Sequence, residues 1–134
     1  MEDTTGRRLR TLADDPIKAG VFGDIDRLRP QLVEMADFIF DHPECDGEEH
    51  QASALLENCL ESQGFAVERG IAGFATAFRA TWESGKGGPS IGILCEYDAL
   101  EGLGHGCGHH MQGPGCVGAA IALKRAASSL DVPF

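Results

Sequence analysis

Positive charge is scarce in this chain. Eleven lysines and arginines stand against 21 aspartates and glutamates in 134 residues, for a net charge of −10. Such a surface repels phosphate backbones, which argues against a nucleic-acid partner. Long apolar runs are missing too. No stretch approaches the roughly 20 residues needed to cross a bilayer, so no membrane partner is expected. Residues 1–20 lack the apolar segment of a secretory leader. Glu2, Asp3, Asp14 and Asp15 lie among Arg7, Arg8 and Arg10, which does not suit a mitochondrial leader either. The five cysteines show no paired spacing and are odd in number. They fit reduced thiols in a cytoplasmic protein better than a disulfide framework. There is no internal repeat and no low-complexity tract.

What is present is ordinary for a globular protein: 43% apolar and 24% charged residues, in a length that suits one compact domain. Residues 1–22 are expected to form a flexible tail and residues 23–134 the domain. Ile25, Leu28, Leu32, Met35, Phe38 and Ile39 recur at steps of three and four, predicting a helix over 24–40. Pro30 is expected in the first turn of its main part. Ala52, Leu55, Leu56, Cys59 and Leu60 predict a second helix over 48–63, which Gly64 ends. In its first turn, Glu48 and Glu49 favour the helix dipole. Strands are predicted over 65–68, 75–82 and 90–95. The last, Ile91-Gly92-Ile93-Leu94-Cys95, is apolar without a break, as in a strand buried on both faces. A long loop over 96–110 follows. A final helix carries Val117, Ala120, Ile121 and Leu123 and ends near Leu130, and Val132-Pro133-Phe134 resembles the approach to another strand. The order predicts an α/β fold, a mixed sheet with flanking helices.

The densest chemistry lies at 102–110, where Gly102, Gly104, Gly106 and Gly108 alternate through a loop. Cys107 and His109 stand two residues apart there. A thiolate and an imidazole at that spacing can turn toward one divalent metal. The loop follows the end of an apolar strand, where open α/β sheets place ligands. Asp98, also at that strand end, can hold the imidazole of His109 in its metal-binding tautomer. Glu96 is open between the same role and a solvated strand end. His105 and His110 flank the pair, and either could be a ligand, since three histidines and a cysteine would complete a four-coordinate site. Geometry argues against all four at once, and they read as loop residues. Adjacent side chains such as His109 and His110 seldom reach one ion, which leaves His110 able to face substrate. Gly113 to Gly118 matches G-x-G-x-x-G, but no strand runs into its first glycine. These glycines read as the start of a closely packed helix, and no nucleotide cofactor is expected. Trp82 and Tyr97 read as packing residues.

Glu96-Tyr97-Asp98-Ala99-Leu100-Glu101-Gly102 and Gly104-His105-Gly106-Cys107-Gly108-His109-His110 together resemble a known family. It is the zinc-dependent amidohydrolase and metallopeptidase family of aminoacylases, carboxypeptidase G and the auxin-conjugate hydrolases. The resemblance is strongest to the branch of p-aminobenzoyl-glutamate hydrolases and β-alanyl-lysine dipeptidases. Its members show Glu-Tyr-Asp-Ala-Leu-Pro-Gly and Gly-His-Ala-Cys-Gly-His-Asn. Ile39-Phe40-Asp41-His42-Pro43-Glu44, Glu48-Glu49-His50 and Gly64-Phe65-Ala66-Val67-Glu68 extend the resemblance over residues 24–134. Glu101, Gly106 and His110 depart from it, where members carry proline, alanine and asparagine or aspartate.

The resemblance implies the N-terminal portion of a zinc-peptidase-like catalytic domain, apparently truncated, without the smaller lid and dimerisation domain. It implies Cys107 and His109 as metal ligands, Asp98 next to the metal and His110 toward substrate. The cofactor would be Zn²⁺, or Mn²⁺ or Co²⁺, weakly held by this portion. The complete enzyme would hydrolyse an amide or peptide bond in a small N-acyl amino acid or dipeptide, and could form a homodimer. The family's catalytic glutamate, from a Glu-Glu pair on a later strand, and its later histidines do not occur here, so the chain alone is expected to be inactive. The alternative is a non-catalytic remnant or interaction module that pairs with a full-length relative.

Overall fold

The computed structural model describes residues 15–85 and 87–130. Three helices and a two-stranded sheet make an α/β arrangement: α1 (Pro16–Asp41), α2 (His50–Ser62), β1 (Ala66–Arg69), β2 (Phe78–Thr81) and α3 (His109–Leu130), with a single 3-10 turn at Ile71–Gly73 between the strands. The approach to a further strand expected at 132–134 lies outside the described residues.

Helix α1 starts earlier than the apolar periodicity predicts. The Asp15 carboxylate caps it, accepting from the Ile17 and Lys18 N–H groups, and Pro16 occupies the first turn. Both are start signals, because the first turn's N–H groups have no helical acceptors and proline has no N–H to waste. Residues 16–22 of the expected tail therefore belong to this helix, and residues 1–14 lie outside the described residues. Pro30 sits inside the helix rather than in its first turn. Proline there denies the Asp26 carbonyl its donor. Asp26 and Pro30 are both exposed, so water can serve that carbonyl instead.

Leu28, Met35 and Ile39 of α1, Ala52, Leu56, Cys59 and Leu60 of α2, and Val117 and Ile121 of α3 form one core. Helix α3 also starts earlier than predicted, at His109, and takes Gly113, Pro114 and Gly115 into its first turns. Gly113 and Gly118 allow the helices to close up. A Cβ on Gly118 would lie 2.6 Å from Leu32 of α1, and one on Gly113 2.9 Å from Leu56 of α2. That is the close packing expected of the G-x-G-x-x-G run. Arg125 of α3 reaches Asp24 of α1 and the side chain of Gln63. Lys124 donates to the Gln63 and Gly64 carbonyls, placing a cation at the negative end of α2.

Helix α2 ends as predicted. Gly64 takes φ +78°, and the Gly64 and Phe65 N–H groups bond back to Glu61 and Leu60. The chain then forms an antiparallel pair in which Val67 faces Ala80 and Glu68 faces Arg79. Val67, Phe78 and Ala80 turn to the core. Arg69 ties the pair to α2 by ion pairs with Glu57 and Glu61.

The third predicted strand is not formed. Residues 90–98 make no ladder, and the apolar side chains expected inside are exposed: Ile91 at 57%, Ile93 at 43% and Leu94 at 87%. A strand is buried on both faces only where other strands flank it and helices cover it. The one ladder among the described residues is β1–β2, and parallel pairing is limited to a single bridge between Cys45 and Ala99. No helix among the described residues is long and apolar enough to cross a membrane.

Candidate metal centre

The site is built where the 96–108 loop is fastened to the end of α1. The Ala99 N–H donates to the Glu44 carbonyl at 2.7 Å, and Ala99 is buried. Glu44 is itself fixed, because its carboxylate accepts from the Gln51 and Ala52 N–H groups in the first turn of α2. One residue thus caps α2 with its side chain and holds the loop with its backbone. Asp98, next to Ala99, inherits that position. Further along, Leu100 and Gly104 exchange backbone bonds at 2.9 Å and close a tight turn. Gly108, at φ +84°, then reverses the chain, so His109 is the first residue of α3.

His109 is held between two carboxylates. Its Nδ1 lies 2.8 Å from Asp98 Oδ1, and its Nε2 lies 3.0 Å from Glu96 Oε2. An Nδ1–H donated to Asp98 leaves Nε2 as the free nitrogen. Glu96 faces that nitrogen, whose lone pair a cation between them could share. The ligand atoms of Glu96, Asp98 and His109 lie within 4.8 Å of one another. An imidazole nitrogen with carboxylate oxygens is a donor set suited to zinc and neighbouring divalent ions. The residues present therefore fit such an ion.

The structure brings Asp98 and His109 together and adds Glu96 on the opposite side of the ring. Cys107 does not join that group; it is an exposed free thiol in the turn before α3. His110 points elsewhere, its ring 5.0 Å from Phe40 and 5.3 Å from His105. Neither His105 ring nitrogen nor His110 Nδ1 has a hydrogen-bond partner among the described residues. Burial pushes His105 below the ordinary histidine value; the Ile39 backbone opposes that shift without reaching good hydrogen-bond geometry.

Three supporting residues are not legible in the sequence. Glu49, expected at the start of α2 to favour its dipole, is instead 5% exposed and makes no cap bond. It accepts from the Gly47 N–H at 2.7 Å and the Thr76 hydroxyl at 2.6 Å. The capping role falls to Glu44, seven residues before the first N–H it serves, which no local pattern announces. Tyr97 packs on Phe78 and donates its hydroxyl to the Thr76 carbonyl. Burial first, then neighbouring acidic groups, pushes its phenol up to about 12. Cys95, beside Cys116, is likewise pushed up to about 12, mainly by burial, so it is no thiolate at neutral pH.

No family model matches the chain. It is 40% identical over 114 residues to a subunit of the p-aminobenzoyl-glutamate hydrolase of Escherichia coli (strain K12), an alignment covering 72% of this chain and 23% of that protein. The chain belongs to the amidohydrolase family of that enzyme. The Xaa-Arg dipeptidase of Mus musculus is 37% identical over 117 residues, 81% of this chain and 27% of the dipeptidase. The N-acetyl-L-cysteine deacetylase of Bacillus subtilis (strain 168) is 26% identical over 141 residues, 95% of this chain and 32% of the deacetylase. The chain thus spans between about a quarter and a third of the length of these relatives. All three are named for hydrolysing or deacylating small amide-bearing molecules.

Proposed function

We propose that this chain supplies one wall of a divalent metal centre for hydrolysing the amide bond of a small N-acyl amino acid or dipeptide. The observation that carries the proposal is the grip of Asp98 on His109 Nδ1, which fixes the imidazole and turns Nε2 toward Glu96, where an ion could be shared between them. His109 would hold the ion, which is Zn²⁺ or the similar Mn²⁺ or Co²⁺. The exposed Cys107 side chain, two residues earlier and outside the Glu96–Asp98–His109 group, would turn in to join it. Asp98 holds the tautomer of His109, and Glu96 lies on the side of the ring facing the ion. When bound, such an ion polarises an amide carbonyl and lowers the pKa of water. The chain's own residues bind, orient and carry charge; no group among the described residues is placed as the general base. The 134 residues alone are accordingly predicted to turn over little substrate. A cytoplasmic setting, a homodimer of the complete enzyme, and the lack of nucleic-acid or membrane partners belong to the same proposal.

Cobalt(II) tests it. The loaded chain is expected to show thiolate-to-metal charge transfer that disappears in Cys107→Ser. Its visible spectrum is expected to shift when an N-acetyl amino acid or a dipeptide is added. Asp98→Asn is expected to weaken cobalt binding about 10–100-fold, the usual effect of losing a histidine's supporting carboxylate. A spectrum that neither Cys107→Ser nor the amide compounds alter would overturn the proposal.

A further inference from the structure

Successive residues of an α-helix point about 100° apart. His109 and His110 open α3, so their rings diverge, and only His109 meets the carboxylates. His110 turns to a second cluster with His105, adjacent to the first and walled by Phe40, whose ring is 5.0 Å from His110 and 6.4 Å from His105. Packing on Phe40 accounts for the ring faces. It does not account for the nitrogens, and the Ile39 backbone beside His105 does not reach hydrogen-bond geometry. His105 is only 8% exposed, yet both its ring nitrogens are buried without a hydrogen-bond partner among the described residues, as is Nδ1 of His110. Buried polar atoms left this way destabilise the fold unless something serves them.

The spacing of the two rings indicates what could serve them. Two imidazoles on one tetrahedral ion, with bonds of about 2.0–2.1 Å, place their ring centroids about 5 Å apart. The His105 and His110 centroids are 5.3 Å apart, with the rings inclined at 57°. Among the described residues, no carboxylate, lysine or arginine side chain pairs with either ring. The set is therefore two imidazoles, the donors that copper(II), zinc and nickel(II) prefer over calcium or magnesium.

We propose that His105 and His110 form a second metal site, distinct from the one around His109, that takes a borderline divalent transition ion with solvent completing its coordination. The sequence carries the donors as His-x-x-x-x-His across the turn into α3, where Gly108, at φ +84°, reverses the chain between them. The site does not depend on the proposed hydrolase centre and can stand if that proposal fails.

Copper(II) titration of the Cys107→Ser/His109→Ala double variant tests it, since that background removes the ligands of the first centre. The first equivalent of copper is expected to show electron-spin-echo modulation from two coordinated imidazoles. Adding His110→Asn is expected to reduce the count to one and weaken binding by roughly tenfold or more, no less than loss of an outer partner does. His105→Gln should do the same. Should that variant fail to fold, His110→Asn, at a half-buried position, decides alone. A first copper ion with one imidazole or none, or a spectrum that His110→Asn leaves unchanged, would overturn the site.

Discussion

Two stretches of this chain are comparably apolar and end in opposite surroundings. In α3, Val117 and Ile121 are 1% exposed and Ala122 is fully buried. In the run 91–95, Ile93 is 43% exposed and Leu94 87%. Apolar content does not separate them; their backbones do. A helix closes its hydrogen bonds within its own segment and needs only one surface to cover its apolar face. A central strand needs partners along both edges before its side chains can be covered. Here α1 and α2 meet α3, and glycines at 113 and 118 let them approach. No strand among the described residues flanks the run 91–95.

That contrast can be broken most severely from the helical side. Leu56→Ala, at a fully buried position beside Gly113, is expected to destabilise the chain by about 2–5 kcal/mol in a denaturant titration. A smaller effect is expected at the polar part of the same region. Glu49→Ala leaves the Gly47 N–H and the Thr76 hydroxyl without their acceptor and should cost about 1–3 kcal/mol. Glu48→Ala, exposed one residue earlier, should fall within about 0.5 kcal/mol of wild type. Equal effects of the two would show that the burial of Glu49 carries no energy.

The link between α1 and α3 should be weaker still, and it depends on pH. Burial pulls the Asp24 carboxyl upward, but Arg27 and Arg125 outweigh it and hold the group below its ordinary 3.8. Asp24 binds its proton less readily in the folded state, so its contribution is complete above 3.8 and is lost as pH falls through the lower folded value. Asp24→Asn should remove under about 1 kcal/mol at neutral pH, and nothing once the carboxyl is protonated. A loss that stayed constant down to strongly acidic pH would contradict the ion-pair account. The smallest effect belongs to the other half of the comparison. Leu94→Ser should change stability by no more than about 0.5 kcal/mol and reduce self-association, read by ultracentrifugation. A large loss of stability would mean that the run is covered in solution.

Helices and their faces were legible because a period near 3.6 is written within each segment. Leu28, Met35, Ile39, Leu56, Leu60, Val117 and Ile121 all lie in the core, as their spacing predicts. The pairing of Asp98 with His109 was legible as well, since both lie within one short motif. The early start of α1 had a signal in Asp15 followed by Pro16, obscured by a weaker apolar pattern over the first turns. The roles of Glu44, Glu49 and His105 had none. Each depends on what a distant segment brings: the N-terminus of α2, Thr76 twenty-seven residues beyond Glu49, and Phe40 at the end of α1.

By itself the sequence determined that this chain carries thiol, imidazole and carboxylate donors on one glycine-rich turn, between helices whose apolar faces must meet. Periodicity and short-range spacing are properties of neighbouring residues, and they survive without any knowledge of the fold. Only the tertiary structure decided that two adjacent histidines face different surroundings, that one glutamate caps a helix from outside it, and that an apolar run stays exposed. Those outcomes depend on which surfaces arrive from elsewhere in the chain, and burial is settled by the partner as much as by the residue.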